Sequence, residues 1–141
     1  MRIVVIGQAQ FGHDVLQELL KQNKNVVGGS TPLPKNEKDN DPLSVLAHEN
    51  KLPNIHTKLL KKEATANKFI ATMQPDLIIF AFVNDIIPKV IIDAATIGAI
   101  QYHPSLLPKH RGRSAMNWAI VNGEHETGLS IFWVDEGIDT G

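Results

Sequence analysis

The stretch QPDLIIFAFVNDIIPKVIIDAATIGAIQYH, residues 74–103, decides the fold. Gln74, Pro75 and Asp76 form a turn signal. The unbroken apolar run at 77–83 after them reads as a strand buried on both faces. Asn84 and Asp85 end the run. Residues 86–95 then carry a helical pattern with Pro88 in the first turn, and 98–103 returns to strand character. A strand, a helix and a second strand in direct succession require a right-handed crossover between parallel strands, with the helix laid on one face of the sheet.

The same alternation extends outward. Residues 2–7 read as a buried strand. Gly7 to Gly12 turns the chain into a helix whose stripe is Phe11, Val15, Leu16, Leu19 and Leu20. Gly-Gln-Ala-Gln-Phe-Gly has two glycines and lacks the spacing of a dinucleotide fingerprint, so a bare strand-to-helix turn is expected before a phosphate cradle. The second strand, 25–29, has no acidic residue at its end to hold a ribose hydroxyl. Residues 30–42 read as a solvated loop, and Asp41 with Pro42 starts a short helix over 43–49. A brief strand is expected at 53–55. A helix at 61–73 should bury Ala64, Phe69 and Ile70. Ser114 is expected to cap a helix starting at Ala115, and a last strand at 129–134 should deliver an acidic loop.

With 141 residues, 43% apolar and 21% charged, the chain fits one soluble domain. A net charge of -1 gives no general basic excess for a nucleic-acid footprint. The absence of cysteine excludes disulfides, thiolate metal sites and a cysteine nucleophile, and makes the cell interior the default location. The apolar run at 3–6 is too short for a secretory signal or a membrane span.

Two stretches concentrate chemistry. One is Gln101-Tyr102-His103-Pro104-Ser105-Leu106-Leu107-Pro108; the other is Asp135-Glu136-Gly137-Ile138-Asp139-Thr140-Gly141. Each closes a strand, the position at which open α/β sheets hold ligands. Side chains alternate along a strand, so Gln101 and His103 share one face and Ile100 and Tyr102 the other.

These two motifs, with Arg111-Gly112 between them, resemble the folate-dependent formyltransferase family. Ile6-Gly7-Gln8, Phe11-Gly12, Tyr102-His103, Asn117-Trp118 and Ser130-Ile131-Phe132-Trp133 look most like the N-terminal hydrolase domain of the 10-formyltetrahydrofolate dehydrogenases. The resemblance implies an α/β, Rossmann-like, doubly wound and mainly parallel sheet, with residues 1–141 forming the folate-binding, catalytic N-terminal domain. The family continues beyond its acidic motif, so the chain is expected to be a C-terminally truncated fragment of a longer protein with downstream domains.

The activity implied is hydrolysis of 10-formyltetrahydrofolate to tetrahydrofolate and formate, in the cytoplasm and in one-carbon metabolism, with an oxidoreductase as the parent protein. Transfer of the formyl group to an amine on a sugar, aminoacyl or carrier-bound acceptor is the first alternative. A folate-binding module without catalysis is the second. By resemblance, His103 stabilises the tetrahedral oxyanion and handles protons, and Asp139 favours its charged form or takes a proton from water. The folate would lie between Phe82, Val83, Asn84 and Ile86 on one side and Asp135 and Gly137 on the other, with Leu107 as an apolar wall. Arg111 and Arg113 are solvated or steer an anionic tail. The resemblance implies no metal, membrane or nucleic acid. Gln101 departs from the pattern, because the family carries asparagine or an aliphatic residue there. The asparagine amide of the transferase branches helps hold the formyl oxygen, so by resemblance Gln101 joins His103 and Asp139 as a catalytic candidate. Its amide offers that hydrogen bond from one methylene farther out, with plain solvent exposure in the cleft as the other reading.

Overall fold

The computed structural model describes residues 1–36 and 38–141; residue 37, inside the expected loop at 30–42, lies outside the described residues. The chain divides into two compact units, residues 1–99 and 100–141.

The first unit opens with β1 (Ile3–Gly7), α1 (Ala9–Lys21), β2 (Val26–Thr31), α2 (Pro42–Glu49) and β3 (Asn54–His56). A 3-10 turn at Thr57–Lys61 comes next, then α3 (Glu63–Met73), β4 (Leu77–Ala81) and α4 (Lys89–Asp93). β1 pairs in parallel with both β2 and β4, and β2 with β3, which gives the order β3-β2-β1-β4 within this unit. The pleat sorts the strand side chains into two layers. Ile3 and Val5 of β1 join Leu16 of α1 and Leu43 and Ala47 of α2 in one core. Val4 points the other way. Its partner across β2 is Gly28, where an added Cβ would meet the side chain of Met73 on α3. Helices therefore cover both faces of the sheet, as the expected doubly wound pattern requires.

Gly7 and Gly12 serve close packing. A Cβ at Gly7 would run into the carbonyl of Ala81, and one at Gly12 would lie 3.0 Å from Leu43 Cδ2 and 3.4 Å from that same carbonyl. The backbone N–H of Ala9 donates to Asp41 Oδ2 at 2.7 Å, so a side chain of the protein itself occupies the turn. Asp41 also caps α2, accepting from the Leu43 N–H at 2.9 Å.

Several local expectations change: β4 stops at Ala81, short of the expected 83, and β2 runs on to Thr31, with Ser30 and Thr31 fully buried where a solvated loop is expected. The helix expected at 61–73 begins at Glu63, because Lys62 is extended and the preceding residues form the 3-10 turn. Its buried residues are Ala66, Phe69 and Met73, a 3- and 4-residue spacing that leaves Ala64 exposed on the far side. The helix expected at 86–95 spans only Lys89–Asp93 with Pro88 as its N-cap, since proline disfavours helical geometry in the residue before it.

The second unit holds the end of β5 (Gly98–His103), α5 (Ala115–Val121) and β6 (Ser130–Trp133). β6 runs antiparallel to β5, pairing His103 with Ser130 and Gln101 with Phe132. Ser114 precedes α5 in left-handed geometry and makes no side-chain cap, contrary to the sequence expectation. A capping hydroxyl needs an extended backbone at the N-cap to turn back onto the helix.

Candidate active site

His103 ends β5 with only 4% of its surface exposed, and both ring nitrogens face oxygen acceptors. Nδ1 lies 3.4 Å from Asp139 Oδ2, both side chains being 6% exposed. Nε2 lies 2.7 Å from the backbone carbonyl oxygen of His110. A neutral imidazole has one N–H and donates to one of these oxygens; the protonated ring donates to both.

The segment after β5 is shaped to bring that carbonyl to the ring. Ser105, fully buried, donates its hydroxyl to the Lys109 carbonyl at 2.6 Å. Its own carbonyl accepts from the Ser130 hydroxyl at 2.8 Å, and Ser130 Oγ in turn accepts from the Leu107 N–H at 3.2 Å. Ser130 thus ties the start of the loop to β6, and Ser105 closes the loop on itself through Lys109. His110 takes a left-handed backbone with φ 53°, and its Nε2 pairs with Glu124 Oε1 at 2.7 Å.

Asp139 arrives from the acidic loop, also with a left-handed backbone at φ 53°, a conformation aspartate tolerates better than most residues. The loop is folded by its own first carboxylate. Asp135 Oδ1 accepts from the Gly137 N–H at 2.9 Å and from the Thr140 hydroxyl at 2.6 Å. These bonds, the Thr140 hydroxyl first, hold the Asp135 carboxyl below its ordinary value by favouring the charged form. A Cβ at Gly137 would collide with Thr140 Oγ1, so glycine is what lets the turn close. The Asp139 carboxylate is then gripped at both oxygens. Gln101 Nε2 donates to Oδ1 at 3.1 Å, and the Gly112 N–H donates to Oδ2 at 2.8 Å. Gly112 has φ 85°, a backbone that glycine enters without strain.

Gln101, His103 and Asp139 are therefore together in the second unit, and the amide of Gln101 is bound to Asp139. Leu107, half-buried, and the exposed Asp135 and Gly137 lie in the same unit. Phe82, Val83, Asn84 and Ile86 lie in the first unit on the segment after β4. Phe82, at φ 64°, is 46% exposed and Ile86 is 81% exposed, so both present apolar surface to solvent. Arg111 and Arg113 are exposed. Sequence reasoning missed three contributors: the His110 carbonyl, the Gly112 N–H and Glu124. Two of these act through the backbone, which carries no side-chain signature; Gly112, beside the basic residues, is the available hint. Among the described residues, no three His, Asp or Glu side chains converge as metal ligands do, and no helix is long and apolar enough to cross a membrane.

A family model described as "Formyl transferase" matches residues 1–141. The chain is 37% identical over 148 residues to mitochondrial 10-formyltetrahydrofolate dehydrogenase of Mus musculus, matching all of this chain and 16% of that protein. It is 41% identical over 146 residues to the cytosolic 10-formyltetrahydrofolate dehydrogenase of Xenopus tropicalis, with the same coverage. The chain thus spans about a sixth of the length of these curated relatives. Among solved structures, phosphoribosylglycinamide formyltransferase from Bacillus halodurans superposes with a TM-score of 0.82 at 20% identity, covering 100% of this chain and 75% of that one. The α/β architecture with its mainly parallel strands is the fold of that enzyme.

Proposed function

The chain belongs to the formyl transferase family, and from that premise we propose that it hydrolyses 10-formyltetrahydrofolate to tetrahydrofolate and formate as the hydrolase part of a longer, dehydrogenase-type protein. The observation that carries this reading is the His103 imidazole held against the Asp139 carboxylate at 3.4 Å. Water attacks the formyl carbon, and Asp139 accepts the proton that the water gives up. The carbonyl oxygen becomes an oxyanion, and the His103 Nε2–H, which in the free protein faces the His110 carbonyl, is the donor that stabilises it. Collapse of the tetrahedral intermediate breaks the bond to the folate nitrogen. That nitrogen takes up the proton and leaves as an amine, and formate departs with the oxygen of water.

Within the second unit, Leu107, Asp135 and Gly137 are the residues assigned to the folate, an apolar side chain for the ring and polar groups for its edge. The reaction belongs to the cytoplasm, and the parent chain carries further domains with their own chemistry. The names of the relatives at 37% and 41% identity favour this reading over an amine acceptor. The test is release of tetrahydrofolate with water as the only acceptor, from this chain and from the parent protein that contains it. Turnover without any amine supports hydrolysis. Turnover that appears only when an amine is added replaces hydrolysis with transfer, and bound folate with no turnover under either condition leaves a binding module.

A further inference from the structure

Gln101 shares the His103 face of β5 but is neither the asparagine nor the aliphatic residue of the family pattern, and its geometry defines a role of its own. Its Nε2 is 3.1 Å from Asp139 Oδ1, while Asp139 Oδ2 accepts from Gly112 and faces His103. A carboxylate held at one oxygen can still swing about that contact; held at both, its plane is fixed. Asp139 needs such a clamp, because it sits in a left-handed conformation directly after Ile138, which is 74% exposed. Glutamine also has the length the contact requires. Shortening the side chain by one methylene withdraws the amide by about 1.5 Å, which opens the contact well beyond hydrogen-bonding range.

We infer that Gln101 is a positioning residue: its amide fixes the Asp139 carboxylate so that Oδ2 faces His103, and it acts on the reaction through Asp139 rather than by donating to the formyl oxygen. The inference deepens the formyl-hydrolysis reading and rests on it. Gln101→Leu removes the amide but keeps the bulk. Loss of a hydrogen bond to a charged group corresponds to a fall in kcat of about ten- to hundredfold, with KM little changed because the substrate is not touched. Gln101→Asn, whose amide falls short of Asp139, behaves like the leucine variant.

The decisive experiment is a double-mutant cycle on the parent protein, monitoring tetrahydrofolate release. In an Asp139→Ala background, Gln101→Leu costs no more than about twofold. Equal losses in both backgrounds, or wild-type turnover in Gln101→Asn, overturn the inference. The side-chain amide resonances of Gln101 supply a readout that needs no turnover, and the same spectra verify that each variant is folded. They shift in Asp139→Ala; amide resonances that stay in place overturn the inference even if the protein proves inactive. An inactive wild type, by contrast, defeats the hydrolysis reading alone.

Discussion

Asp139→Asn exchanges one carboxylate oxygen for an amide nitrogen in a side chain that is only 6% exposed. In the native site Oδ1 accepts from Gln101 at 3.1 Å, Oδ2 accepts from Gly112 at 2.8 Å, and His103 Nδ1 stands 3.4 Å from Oδ2. Asparagine offers a single acceptor oxygen, so whichever way its amide turns, an NH2 group faces a donor. One native hydrogen bond is lost and one buried donor is left unpaired, which costs about 1–3 kcal/mol of stability. The expected rate effect is larger, because the variant lacks the group proposed to take the proton from water. Loss of a positioned general base lowers turnover by about 10²–10⁴-fold. Chemical denaturation and tetrahydrofolate release, measured on one preparation, separate the two effects. If Asp139→Asn loses the expected stability yet turns over within about twofold of wild type, Asp139 is structural, and the reasoning from the His103–Asp139 pair fails.

The same geometry sets other expectations. Asp135 and Asp76 both titrate below the ordinary carboxylate value, Asp135 through Thr140 and Gly137, Asp76 through the Arg2 N–H and the Thr96 hydroxyl. Their stabilisation is complete above the unfolded value of about 3.9 and is lost as pH falls through the lowered folded values. Thr140→Val removes the larger of the two bonds at Asp135, so its stability varies less with pH across that acidic window than that of the wild type; an unchanged pH slope in thermal melts refutes the assignment. Gly112→Ala forces a side chain into φ 85° with open space around it, a pure backbone cost of about 1–2 kcal/mol. Gly112→Asn, which enters that region more readily, loses less, and equal losses would point to another cause. Phe69→Ala empties a fully buried site in α3 and lowers stability by about 3–5 kcal/mol; a loss under about 1 kcal/mol would mean that the helix does not pack as described.

The strand at 77–81 and the strand at 98–103 are legible because their signals are local: hydrophobic continuity, flanking turn residues and the two-residue alternation that places Gln101 beside His103. Hydrophobicity alone does not show that Phe82 leaves the strand in a left-handed backbone. The cap at Asp41 and Pro42 is legible for the same reason. Pro88 has the position of an interior first-turn residue, but its effect on Ile87 excludes helix there, and the expected helix shortens accordingly. Ser114 looks like a cap by residue type, whereas capping depends on a backbone conformation that the residue does not adopt. In the site, the motifs point to His103 and Asp139, but no residue type could announce that the carbonyl of His110 would meet the imidazole. Nor does sequence spacing show that a glutamine amide would reach across 38 residues to a carboxylate.

The most direct test of the central claim is hydrolysis of 10-formyltetrahydrofolate in water enriched in heavy oxygen, comparing the parent protein with its His103→Ala variant. The account predicts formate that carries solvent oxygen from the wild type, and its disappearance in the variant while folate still binds. Formate formed at the wild-type rate without His103 would contradict it, as would formate from the wild type free of solvent oxygen.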